Sequence, residues 1–415
     1  MRNGQRLWRA SALLVAASLA LAACGSDADE EGVGAAGEGG AATKTVKIGV
    51  IAPLSGELSA LGQGIKNGVD LAIKQANDTN KVKGWKIELA AEDDTAKADV
   101  GAQVATKLSS DSQVAAVVGT LNSSVAEQVA PILNRANVVM VSPANTNIAL
   151  TGRDKLANQQ RVYDTYFRVA TTDDVQGPFA ANYASNELKA KTAVIIHDKK
   201  TYGQGLSEAF KGQFEKNGGR ILATETINPG DKDFTAVLSR IKPLNAEMIY
   251  YGGEYPEASL LASQAKQQGI TVPIMGGDGM YSGAFFETAK EAGTGTLVTS
   301  VGAPTESLSS AKNFVDAYKK GGYAQPYEAY GAYAYDAANV IIEAMSKSLE
   351  GKTELNTATR QALVKAVGDV SIDGATGKVS FDKFGDTKTK VLTMYKAESK
   401  GGKMEWVPAK TDEFK

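Results

Sequence analysis

The chain has 415 residues and a net charge of −2, with 43% hydrophobic and 22% charged residues. That length exceeds the roughly 250–300 residues at which single cores stop growing, so two lobes are expected. The near-neutral balance, with no basic patch to track phosphates, argues against a nucleic-acid partner.

The first element is a leader. Arg2, Arg6 and Arg9 precede an apolar run from Ala10 to Ala20, and Leu21-Ala22-Ala23-Cys24 follows. Charged n-region, short h-region and small residues make a secretory signal over residues 1–23, with an apolar core too short to span a bilayer. Cys24 is the only cysteine, so no disulfide can form within one chain. A cysteine directly after Leu-Ala-Ala resembles the bacterial lipoprotein signal. That resemblance implies a lipidated Cys24 and a chain exported and anchored to the outer face of the cell membrane. Residues 24–43 are Gly-, Ala-, Ser-, Asp- and Glu-rich and read as a flexible tether of about 25 Å r.m.s. reach. The fold is expected to begin near Lys44.

From there strands and helices alternate. Val46 to Ala52 reads as a buried strand, and Ile65, Val69, Ala72, Ile73 and Ala76 recur at helical spacing. Trp85 to Ala90, Val114 to Val118 and Val138 to Val141 read as further strands, with helices at Val100 to Leu108 and Val125 to Leu133. The rhythm restarts with strands at Thr192 to His197, Ile221 to Glu225 and Met248 to Tyr251. Helices follow at Leu206 to Phe214, Phe234 to Ile241 and Leu260 to Gln267, the last ended by Gly269. Repeated βα units with continuous apolar strands predict parallel sheets covered by helices on both faces, in two lobes. Phe314 to Tyr318, a long helix from Tyr330 to Leu349, a hairpin at "GATGKVSF" and a strand at Val391 to Tyr395 must join one lobe or the other.

In open α/β sheets the ligand site lies at the carboxyl ends of the strands. Those ends here, such as "GTLNSSVAEQ", "SPANTN", "HDKKTYGQG", "YGGEYPE" and "MGGDGMY", are rich in Gly, Ser, Thr, Asn and Tyr. This suits hydrogen bonding to a small polar ligand better than phosphoryl transfer. Gly62, Gly64 and Gly68 miss the dinucleotide fingerprint by one residue, and no phosphate-cradling G-x-x-x-x-G-K-[ST] occurs. His197 is the only histidine and no G-x-S-x-G elbow accompanies it, so a hydrolase triad is missing; it reads as structural. One histidine and one cysteine also leave a transition-metal site, or any cofactor, without ligands. Asp93-Asp94 reads as solvated or capping rather than as an acid pair. At Asn122-Ser123-Ser124 a serine is expected to cap the helix from Val125, whose free N–H groups and dipole would suit a carboxylate.

The segments "GTLNSSVAEQVAPIL", "VVMVSPANTNIALT", "FRVATTDDVQGPFAANY", "VIIHDKKTYGQGL", "DKDFTAVLSRIK", "IYYGGEYPEA" and "PIMGGDG" resemble, in order and spacing, the bacterial extracytoplasmic leucine/isoleucine/valine-binding proteins of ABC importers. The resemblance covers about Val46 to Lys396. It implies the type I periplasmic-binding fold: two Rossmann-like lobes with a ligand cleft between them, joined by three crossings near Phe167-Arg168, Ser300-Val301 and Lys388 to Leu392. Lobe 1 would take residues 44–167 and about 302–388, and lobe 2 residues 168–301 and about 389–415. The resemblance also implies that Ser123 and Thr146 hold an α-carboxylate, and that the Ala144 carbonyl and Asp278 accept from the α-ammonium. Tyr202 would close over the ligand.

The chain departs from the family's best-known members at the side-chain pocket. Leu61 stands where they carry an aromatic, Glu254 where they carry a tyrosine, and Asp278 where they carry a glutamate. Asn122 takes one position of a cysteine pair found in some members. Glu254 would meet a polar or cationic ligand group, make up for the shorter Asp278, or turn to solvent beside Tyr255. The function expected is a monomeric, membrane-anchored amino-acid receptor feeding ABC permease subunits, with no chemistry of its own. Branched-chain amino acids come first as ligands, followed by other neutral or polar amino acids and short amides. The alternative is a sensor that passes its closed state to a signalling partner.

Overall fold

The computed structural model describes residues 44–155 and 158–414. The leader, Cys24 and the tether lie outside them. Among the described residues no helix is long and apolar enough to cross a membrane.

The first sheet holds β1 (Lys44–Ala52), β2 (Trp85–Asp93), β3 (Val114–Gly119), β4 (Val139–Ser142) and β5 (Tyr166–Arg168), in the order β2-β1-β3-β4-β5 and all parallel. Its helices are α1 (Ser59–Asp78), α2 (Ala98–Ser110) and α3 (Ser123–Arg135). Strand alternation sorts the core onto two faces. Val139 and Val141 join the apolar cluster that contains Leu61, Ile65 and Val69 of α1, while Met140 between them joins Val125, Val129 and Leu133 of α3.

The second sheet is fed by α4 (Asp173–Asn186), β6 (Thr192–His197), α5 (Thr201–Lys216), β7 (Arg220–Thr226), α6 (Thr235–Ile241), β8 (Met248–Gly252), α7 (Tyr255–Gln267), β9 (Ile274–Gly276), α8 (Phe285–Ala289) and β10 (Leu297–Ser300). The chain then returns to the first sheet as α9 (Lys312–Lys320), α10 (Gly331–Ser348), α11 (Thr357–Gly368) and a hairpin, β11 (Ser371–Gly374) with β12 (Gly377–Ser380). The α10 residues Ala334, Ala337 and Ile341 share the α1 cluster, and a Cβ on Gly68 of α1 would stand 2.2 Å from the Gly331 carbonyl oxygen. Helix α10 therefore covers the face already occupied by α1.

The last two strands, β13 (Lys390–Lys400) and β14 (Lys403–Phe414), join the second sheet, whose order is β14-β13-β10-β9-β8-β6-β7. The strand expected at Val391 to Tyr395 is thus one arm of a long hairpin. Both arms run antiparallel to their neighbours, so this sheet is mixed rather than purely parallel. Gly401 and Gly402, both at positive φ, make the two-residue turn between the arms. The chain leaves the first sheet after Arg168, leaves the second after Ser300 and re-enters it at Lys390.

Candidate functional site

Strand β3 ends at Gly119, where φ is 149° and a Cβ would stand 2.3 Å from the Ile51 carbonyl oxygen; glycine alone fits. The serine cap expected for the next helix is not what forms. Helix α3 begins two residues earlier, at Ser123, with Asn122 at the cap position and no side-chain capping bond. The Asn122 carbonyl accepts from the Val125 and Ala126 N–H groups, each at 3.1 Å. The Ser123 hydroxyl is left buried, 1% exposed, with no hydrogen-bond partner. It sits beside the Ser123 and Ser124 amides, the first of α3, which have no acceptor within their own helix.

The neighbouring strand end, "VSPANTN", is braced from beneath. Ser142 Oγ accepts from the Ala144 N–H (3.2 Å) and the Asn145 N–H (2.8 Å). Asn145 Nδ2 donates to the carbonyls of Thr120 (3.0 Å) and Leu121 (2.9 Å), which joins this loop to the one before α3. Arg168, fully buried at the end of β5, donates to the carbonyls of Asn145 (3.1 Å) and Asn147 (2.8 Å) and to Thr151 Oγ1 (2.7 Å). Its charge is met by Asp386, Nε to Oδ1 at 2.6 Å. Burial alone would raise the Asp386 carboxyl, but Arg168 holds it below its ordinary value. These bonds leave the Thr146 hydroxyl, buried and with no hydrogen bond of normal geometry among the described residues.

Across from Thr146 stand two carboxylates. Asp278, after β9, accepts from the Tyr202 hydroxyl (2.8 Å) and from the Tyr330 hydroxyl (2.7 Å) at the start of α10. Burial raises its carboxyl above the ordinary value, against the lowering effect of those two hydroxyls. Tyr202 also accepts from the Gly279 N–H at 3.0 Å, so its ring position is fixed by two bonds. The second carboxylate is Asp173, in the first turn of α4, whose N–H donates to the Thr146 carbonyl at 2.9 Å. Asp173 is 2% exposed, and among the described residues neither of its oxygens forms a hydrogen bond of normal geometry, although the Thr146 hydroxyl lies beside it. Burial pushes its carboxyl up to about 8, with the neighbouring Thr146 hydroxyl and the Arg168 charge working against the rise and the Asp278 charge adding to it. The sequence reading passed over Asp173 because Asp-Asp at the start of a helix looks like dipole compensation. The available signal was its place five residues after the strand end at Arg168.

Glu254 does not turn to solvent. It is 3% exposed, and its Oε1 accepts from Asn122 Nδ2 at 2.6 Å, across the cleft. Its Oε2 accepts from the Lys200 ammonium at 2.7 Å. The cation that meets Glu254 is therefore supplied by the chain itself, from a lysine the sequence reading did not single out. Burial would lower the Lys200 ammonium, but Glu254 and Asp198 hold it above its usual range. Helix α5 reaches Glu254 because its first turn lies directly on the end of β8: a Cβ on Gly203 would stand 2.4 Å from the Gly252 carbonyl oxygen. Further side-chain bonds cross the cleft from Thr201 to Glu127 (2.9 Å) and from Asn147 to the Thr201 carbonyl (2.9 Å).

The structure thus brings Ser123, Ala144, Thr146, Tyr202, Glu254 and Asp278 to facing strand ends. Leu61 is wholly buried in the α1 cluster that also contains Leu121, Tyr255 and Tyr330. His197 Nδ1 accepts from the Lys199 N–H at 3.2 Å, a turn contact. Asp93 and Asp94 accept backbone N–H groups of their own turn, from Thr95 and Ala96 at 2.8 Å each. A cavity of about 670 Å³ lies between Asn147–Ala149 and helices α4 and α5, with Asp173 and Thr201 in its wall. Its lining does not include Ser123, Thr146, Tyr202 or Asp278, so it is a neighbour of the candidate site rather than the site.

The family model described as "Periplasmic binding protein" matches residues 45–403. The chain is 34% identical to the Leu/Ile/Val-binding protein BraC3 of Rhizobium johnstonii, over 85% of this chain and 92% of that one. It is similar to the crystal structure of the leucine binding protein LivK from Thermotoga maritima, with 30% identity and a TM-score of 0.77 over 87% of this chain and 97% of that one. It is also similar to the branched-chain amino acid transporter substrate binding protein LivJ from Streptococcus pneumoniae in complex with isoleucine. There the identity is 29% and the TM-score 0.75, over 88% of this chain and 100% of that one.

Proposed function

The chain belongs to the periplasmic binding protein family, and from that premise we propose that it is an amino-acid receptor of an ABC importer. It is exported, held on the outer face of the membrane by a lipid on Cys24, and hands its ligand to permease subunits. The family is one of substrate-binding transport proteins rather than enzymes. Relatives named for leucine, isoleucine and valine make zwitterionic amino acids the ligand class to test.

One observation carries this reading: the hydroxyls of Ser123 and Thr146 and both oxygens of Asp173 are buried without partners, on converging strand ends. Unsatisfied buried polar groups are costly, and a zwitterion satisfies both sorts. Its carboxylate takes the two hydroxyls and the first amides of α3. Its ammonium takes Asp173, Asp278 and the Ala144 carbonyl. The two acids lie on the second-sheet side and the two hydroxyls on the first, so neither lobe alone satisfies both charges and binding is coupled to closure. Thermal-shift measurement of the purified protein against the twenty amino acids and simple carboxylates tests it. At least one amino acid should raise the Tm while acetate and propionate do not; silence from every zwitterion would sink the reading.

A further inference from the structure

The proposed clamp uses Ser123 and Thr146 for one end of an amino acid and Asp173 and Asp278 for the other. The remaining wall begins at Asn122, immediately before Ser123, and continues to Glu254 and Lys200. These three residues make it polar, beside Leu61 and Leu121 of the α1 cluster. Asn122 is 3% exposed, donates through Nδ2 to Glu254 at 2.6 Å, and leaves its Oδ1 buried with no partner. Glu254 and Lys200 form a closed pair at 2.7 Å, with side chains 4% and 18% exposed. Behind them Asp198 Oδ2 is buried and unpartnered, 3.9 Å from the Lys200 ammonium.

Each class of ligand side chain meets this wall differently. A branched aliphatic group would cover Asn122 Oδ1 and the Glu254 lone pairs with carbon, leaving them unsatisfied. A carboxylate would face Glu254. A second ammonium would face Lys200, which already neutralises Glu254. A neutral group with an N–H or O–H to donate meets an open acceptor at Asn122 and no like charge. The space is short, because the Asn122–Glu254 bond already spans the cleft.

Resting on the amino-acid reading above, we infer that the ligand is an amino acid with a small, neutral, hydrogen-bond-donating side chain, an amide or a hydroxyl, rather than a branched aliphatic one. Asn122 is the residue that sets this preference.

Calorimetry on the purified protein with alanine, serine, threonine, asparagine, glutamine, valine, leucine and lysine tests it. A hydroxyl or amide amino acid should bind at least about tenfold more tightly than valine or leucine, the difference one satisfied hydrogen bond makes. Asn122→Leu, of similar shape, also breaks the cross-cleft bond to Glu254 and should weaken every amino acid, but that ligand about tenfold more than alanine; an equal loss for both would overturn the role of Asn122. Valine, leucine or lysine as the tightest ligand would overturn the inference while leaving an amino-acid receptor in place. No heat from any amino acid, alanine included, would take the amino-acid reading down with it. The wild-type panel decides the question even where the variant does not fold.

Discussion

On the first-sheet wall of the cleft the inward polar atoms are neutral and braced from below by Ser142, Asn145 and Arg168; on the second-sheet wall they are ionisable and braced by one another. The first wall is read mostly through backbone and hydroxyl groups, so its geometry has to be rigid, and a buried arginine holding two carbonyls supplies that. The second is read through charge. Asp173, Asp278 and Glu254 are each 3% exposed or less, and a carboxylate that deep either finds a partner or takes up a proton. Glu254 has its partner in Lys200, Asp278 has two tyrosine hydroxyls, and Asp173 has only the nearby Thr146 hydroxyl. A wall built of neutral atoms suits a fixed shape, and a wall built of acids suits a positive charge.

The sharpest way to break this contrast is beneath the first wall. Arg168→Leu leaves Asp386 with a weaker partner in Arg153, at 3.1 Å, and removes the donors to two loop carbonyls. Loss of one partner of a buried pair costs about 3–5 kcal/mol, to be read by urea unfolding; a loss under about 1 kcal/mol would mean the loop holds itself. Asp173→Asn keeps shape but removes the unpartnered charge. Amino-acid affinity by calorimetry should fall about 100-fold, the worth of a charged hydrogen bond in a buried site, with the Tm of the free protein kept or raised. An unchanged affinity would assign the ammonium to Asp278 alone.

The third test is pH. With its carboxyl at about 8 when free, Asp173 holds a proton at pH 6 that an arriving ammonium must expel. Affinity should therefore rise about tenfold per pH unit from 6 to 7 and level off above 8, with proton release visible as buffer-dependent heats. The free protein behaves in the opposite sense: the folded state keeps this proton after the unfolded chain has lost it, so its contribution to stability falls as pH rises from about 4 to 8. In Asp173→Asn both slopes should flatten. The smallest effect belongs to the first wall's hydroxyls: Ser123→Ala and Thr146→Val should each weaken binding about three- to tenfold, the worth of one hydrogen bond. Ser123→Ala should leave the pH slope unchanged, and Thr146→Val should move it to higher pH, because the Thr146 hydroxyl lowers the Asp173 carboxyl. A changed slope in Ser123→Ala would show that this hydroxyl also titrates with Asp173.

Much of this site could be found by following strand ends. Ser123, Ala144, Thr146, Tyr202 and Asp278 all follow apolar runs at the carboxyl ends of strands, and the structure gathers those ends at one cleft. What could not be followed was pairing. Nothing local to "YGGEYPE" says that Glu254 bonds Asn122, 132 positions earlier, and nothing near Arg168 points to Asp386, 218 positions on. The serine expected to cap α3 failed for a related reason: Asn122 and Ser123 both satisfy the rules for a cap, and the choice depends on where β3 delivers the chain.

The sequence by itself determined the alternation of strands and helices, the two-lobe plan and the strand ends that carry polar atoms, because burial writes a periodic pattern into consecutive residues. Only the tertiary structure decided which acid has a partner. That depends on distances between segments far apart in the chain, and a buried carboxylate with Lys200 beside it is a closed pair, whereas Asp173, in no ion pair among the described residues, suits a ligand's charge.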